Sequence, residues 1–92
     1  MIELVIDKID GYNYYLNDGD KEYMINIEFY DIDKMPRVND KIYMNRELLN
    51  EKMLNIGALN GVYGREIKDK NDKDIVVLKI DEKMIYFKKY YG

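Results

Sequence analysis

The chain has 92 residues, 47% apolar and 36% charged, with a net charge of −3, which is the size and balance of one compact domain and not of a disordered segment or a pair of domains. It contains no Cys, His, Ser, Thr, Gln or Trp, so thiolate, hydroxyl and imidazole nucleophiles are excluded and a zinc or haem site lacks its usual ligands. An acidic chain is a poor default partner for duplex phosphate, yet its charge is uneven: residues 1–64 hold 7 bases and 12 acids, and residues 65–92 hold 8 bases and 6 acids.

Ile2, Leu4 and Ile6 alternate with Glu3, Val5 and Asp7, the period-2 pattern of a strand with one apolar face. The acids in this stretch, and the lack of a long apolar run behind it, argue against a secretory leader. No segment approaches the roughly 18 apolar residues of a membrane span. A soluble protein with no membrane partner is expected, cytoplasmic if bacterial. With no cysteine there is no disulfide scaffold.

Asp10-Gly11 predicts a hairpin turn, because such turns need positive φ, and Tyr12 to Leu16 follows as a second strand. Asn17-Asp18-Gly19-Asp20 is the next turn. Tyr23, Ile25, Ile27 and Phe29 then alternate with Met24, Asn26 and Glu28 in a third strand, completing a meander. Pro36 lacks an amide hydrogen, so Asp31 to Asp40 reads as a surface connection leading to a short strand at Lys41 to Met44. Asn45 can cap a helix over about residues 46–55, with Leu49, Met53 and Ile56 at i, i+4 and i+7.

Residues 57–64 hold three glycines and read as a loop. The nearly all-polar run Arg65 to Asp74 should be exposed. Ile75 to Ile80 is a β-branched strand, Asp81-Glu82-Lys83 a turn, and Met84 to Tyr91 the last strand.

Three strands, a short strand, one helix and two strands resemble in order the OB-fold, a five-stranded barrel carrying a helix between its third and fourth strands. Met35-Pro36-Arg37-Val38-Asn39-Asp40-Lys41-Ile42 looks like a turn-then-strand phrase common in small β-barrels, with Asn39 where Gly is usual. The expected fold is therefore a single mainly-β domain over residues 1–92, an OB-fold-like barrel of five to six strands with one short α-helix. SH3-like barrels and an open sheet backed by one helix are the alternatives.

The resemblance implies a ligand face on strands two and three, where Asn13, Tyr15, Met24, Asn26 and Glu28 share the outward side. Tyr15 could stack a base or sugar, and Asn26 could donate and accept hydrogen bonds; the plain alternative is a tyrosine covering a sheet. Lys88-Lys89-Tyr90-Tyr91 interleaves bases with aromatics as single-strand binders do, although alternation sends Lys88 and Lys89 to opposite faces, and lysines also guard edge strands. Glu28, Asp31 and Asp33 supply oxygen ligands in too small a number for a cation site. The glycine-rich stretch lacks the G-K-[ST] of a phosphate loop and would instead present Tyr63 and Arg65, residue types enriched at interface hot spots.

The expected function is a non-catalytic protein-interaction or regulatory module, a small inhibitor of the immunity-protein kind being one example, with no cofactor and no metal. The second reading is single-stranded nucleic-acid binding through Tyr15, Lys88 and Tyr90. Catalysis ranks below both, since only Asp, Glu, Lys, Arg, Tyr and Asn remain for chemistry. Oligomeric state stays open.

Overall fold

The computed structural model describes residues 1–28, 34–51, 54–63 and 73–89, with backbone alone for 55 and 57–63. Its strands are β1 (Ile2–Asp10), β2 (Asn13–Asn17), β3 (Glu22–Glu28), β4 (Lys41–Met44), β5 (Asn55–Tyr63), β6 (Ile75–Ile80) and β7 (Lys83–Lys89). They close into a barrel in the order β1-β2-β3-β5-β7-β6-β4, with β4 pairing back onto β1. All neighbours are antiparallel except β3 and β5, which run parallel over Asn26–Glu28 and Asn55–Gly57.

The mainly-β barrel expected from alternation is what the chain forms. Two details differ. The predicted α-helix over 46–55 is a single 3-10 helix, Arg46–Asn50. Asn45 does cap it, its side-chain oxygen accepting from the Glu47 amide at 3.0 Å, but a cap marks where a helix begins and not how far it runs. Leu48 is the buried residue of that turn, and Ile56 belongs to β5.

The second correction concerns residues 57–64, expected as a loop: through Tyr63 they are strand, giving seven strands among the described residues in place of five or six. Gly57 pairs with both β3 and β7, and Ala58 and Tyr63 pair with β7, which outweighs the entropic cost of the glycine there. The helical turn sits between β4 and β5, after the short strand, where the sequence order places it. Among the described residues no helix is long and apolar enough to cross a membrane.

The barrel interior is filled by alternate residues from every strand. Leu4, Ile6, Tyr14, Leu16, Ile25, Ile27, Ile42, Met44, Ile56, Val76, Leu78, Ile80, Ile85 and Phe87 form one buried cluster, which Leu48 and Leu54 extend. Each buried aliphatic side chain contributes about 1.5–3 kcal/mol relative to exposure. The Tyr14 ring lies within this cluster, and burial, aided by the nearby Tyr12, pushes its hydroxyl pKa up to about 12.

Tight turns set the register. Asp10 pairs with Asn13 around Gly11, whose φ is +59, so the first central residue takes the left-handed region that glycine tolerates. In the β6–β7 turn both central residues are left-handed without glycine, Asp81 at φ +46 and Glu82 at φ +67. Asn39 likewise sits at φ +80, which explains why its place in the turn-then-strand phrase is one where glycine is usual.

Candidate functional site

The barrel has two unlike outer walls. On β6 and β7 the outward residues Ile75, Val77 and Tyr86 form a second apolar cluster, 5%, 5% and 3% exposed, with Tyr43 of β4 packed against it. That wall is largely withdrawn from solvent. The outward side of β1, β2 and β3 is not: Met24 is 42% exposed, Lys8 is exposed, and Tyr15 is half-buried between them.

This open face is set by an irregularity in β1. Ile6 pairs with Leu16 and Lys8 with Tyr15, so Asp7 is an extra residue on the β1 side, and both Asp7 and Lys8 stand exposed against Tyr15. Such a bulge re-aims side chains and commonly lies beside functional surfaces. Its β4-side edge is tied down, because the Ile6 amide donates to the Asp40 carbonyl at 3.0 Å and the Asn39 amide donates to the Ile6 carbonyl at 2.9 Å. The Asp40 carboxylate in turn accepts from the Arg37 amide at 2.7 Å.

Across the sheet the consequence is a row Lys8–Tyr15–Met24, in which consecutive residues are register partners. The Lys8 ammonium lies 5.3 Å from the centroid of the Tyr15 ring, within range of a cation–π interaction. The neighbouring row is Asp10–Asn13–Asn26–Asn55, and the Asn26 side-chain amide donates to the Asn13 oxygen at 2.9 Å.

At the far end of the β2–β3 hairpin, Asp18 organises the turn by accepting from the amides of Asp20 and Lys21, both at 2.8 Å, and from the Tyr23 hydroxyl at 3.2 Å. Those amide donors hold its carboxyl below the usual carboxylate range. The Tyr23 hydroxyl is correspondingly raised, by desolvation first and then by Asp18.

The structure thus brings Tyr15 and Asn26 onto one face, as alternation predicted. Lys88 is exposed on β7, opposite Gly57 and Ile75; it lies two strand spacings from β3, roughly 10 Å across the sheet, and is not part of the Tyr15 row. Lys89 diverges from it and pairs with Glu51 at 2.6 Å. Tyr63 is the last residue of β5, opposite Ile85, so it belongs to a strand and not to an adaptable loop. Arg65, Tyr90, Asp31 and Asp33 lie outside the described residues. Among the described residues no group of three or more His, Cys, Asp or Glu is placed to hold a metal ion.

Comparison of the chain with protein-family models, with curated proteins and with solved structures finds no match. The open face must therefore be read on its own chemistry. Residues 1–28 hold seven acids against two bases, Lys8 and Lys21, a net of −5; six of the acids are exposed and Asp18 is half-buried. Sequence reasoning missed Lys8 and Asp7, although a trace of the bulge is present: Ile9 follows Ile6 by three positions, which breaks the alternation begun at Ile2.

Proposed function

We propose that the protein is a non-catalytic binding module that engages a protein partner through the outer face of β1, β2 and β3. The observation that carries this reading is the Lys8–Tyr15–Met24 row, exposed at Lys8 and Met24 and half-buried at Tyr15 between them. Tyr and Met are enriched in interface cores, and on this face they stand within a polar rim that includes the Asn13–Asn26 pair. The interior cannot serve as the site in the same way, because core side chains occupy it. The residue types left by the composition also offer few routes to catalysis.

Single-stranded nucleic acid is the competing occupant, since Tyr15 could stack a base. The acidity of the meander opposes it, because a strand of phosphates would meet net negative charge. The test is recovery of copurifying protein by the wild type, by Tyr15→Ala/Met24→Ala and by Met84→Ala. Met84 is 41% exposed on β7, nearly the same as Met24. The reading expects a partner lost from the double variant and kept by Met84→Ala, with all three chains folded by circular dichroism. Equal recovery by all three would contradict it.

A further inference from the structure

We propose that the Tyr15 ring is a recognition platform for a cationic side chain of the partner, and that Lys8 occupies it as an internal stand-in when no partner is bound. The inference rests on the binding face proposed above and adds the class of partner: a polypeptide presenting an exposed arginine. Three observations on this chain point the same way.

The ring already holds a cation, because the Lys8 ammonium sits 5.3 Å from its centroid. The surroundings select for positive charge: the bulge places Asp7 beside Lys8, and Asp10 stands on the same side at the end of β1, within a meander of net charge −5. The stand-in is also easily displaced. Lys8 is exposed, its stem is flexible, and an exposed cation–π contact is worth little. A guanidinium presents a flat face to the ring and a donor fork to a carboxylate, so it can use Tyr15 and Asp7 together where the ammonium makes a point contact.

Charge complementarity decides against an acidic or phosphate-bearing occupant. Such a partner would need Lys8 as its own contact, and removing Lys8 would then weaken binding. With a cationic partner, removing Lys8 frees the ring and strengthens binding. The two cases predict opposite signs for one substitution.

The experiment is an NMR titration of the full-length labelled chain at low salt, read at the Tyr15 ring protons. Three probes are compared: a blocked Gly-Arg-Gly-Arg-Gly peptide, the same peptide with citrulline, the neutral isostere, for each arginine, and a ten-residue oligothymidylate. The arginine peptide should shift the Tyr15 ring resonances, and the citrulline peptide should not. Lys8→Ala should tighten arginine-peptide binding by about two- to fivefold, and by more than Lys21→Ala, which removes the same charge away from the ring. Tyr15→Phe keeps a π-face and should bind like the wild type, whereas Tyr15→Leu should weaken binding by a similar factor.

Unshifted ring resonances, equal gains from Lys8→Ala and Lys21→Ala, or weaker binding by Lys8→Ala would each overturn the platform. If the oligonucleotide alone shifts Tyr15 and loses affinity in Lys8→Ala, the partner class is wrong but the face still binds. If no probe shifts Tyr15 while the copurifying protein still depends on Tyr15 and Met24, the platform fails and the binding face survives.

Discussion

Glu82 occupies the second central position of the β6–β7 turn at φ +67, closed by the Ile80–Lys83 pair. A left-handed backbone costs a residue with a β-carbon about 1–2 kcal/mol, so Glu82→Gly removes that strain. Two terms oppose the gain: glycine's greater freedom in the unfolded chain, about 0.5–1 kcal/mol, and loss of the Lys79–Glu82 ion pair at 3.7 Å. The Glu82 side chain is 91% exposed, and a pair in that setting is worth about 0–0.5 kcal/mol. The balance is a stabilisation of about 0.5 kcal/mol. With a urea slope of about 1–1.5 kcal/mol per molar, the unfolding midpoint should rise by about 0.3–0.5 M. Glu82→Val places a β-branched residue in the same conformation and should lower the midpoint instead. If glycine leaves the midpoint unchanged or lower, and valine is no worse than the wild type, the turn does not hold two left-handed residues and the β6–β7 register built on it is wrong.

Three further outcomes follow from the core and the titrating groups. Ile27→Ala, which empties a fully buried position, should cost about 3 kcal/mol in urea unfolding, whereas Met24→Ala on the opposite face of the same strand should stay within about 0.5 kcal/mol. The raised Tyr14 pKa means that its stabilisation is complete below the ordinary value of 10.0 and is lost as pH rises toward about 12; across that window the wild type should lose about 1.4 kcal/mol per pH unit more than Tyr14→Phe. The lowered Asp18 pKa has the opposite sign. Its stabilisation is present above about 3.9 and lost as pH falls through the lower folded value, so the stability gap between wild type and Asp18→Asn should close in acid melts.

Much of the fold was legible because alternation and turn chemistry agreed. β4 and β6 fall on the predicted residues, and the Asp10-Gly11 and Asp81-Glu82 turns join the strands they were expected to join. Legibility failed where a local signal was outvoted by distant pairing. Gly57 discourages regular structure locally, yet it pairs with Glu28 of β3 and Lys88 of β7, both more than twenty residues away in sequence. The spacing of Leu49, Met53 and Ile56 suits a longer helix, but the 3-10 turn ends at Asn50 and Ile56 pairs with Ile27 and Lys89 in β5.

Half of the candidate site was legible for the same reason. Tyr15 and Asn26 follow from strand alternation alone, and the structure puts them on adjoining rows. Lys8 does not follow, because its place over Tyr15 depends on the extra residue Asp7 and on how the 37–40 turn docks against Ile6. Lys88 was grouped with Tyr15 by residue type, but the strand order separates them by inserting β5 between β3 and β7.

The most direct test of the binding face is a photo-crosslinking amino acid placed in living cells at position 24 or at position 84. Both sites carry a methionine of nearly equal exposure, 42% and 41%, on β3 and on β7, strands that β5 separates. A discrete protein adduct from position 24 and none from position 84 is the result the account predicts. Adducts from position 84 alone, or crosslinks from position 24 to nucleic acid in place of protein, would contradict it.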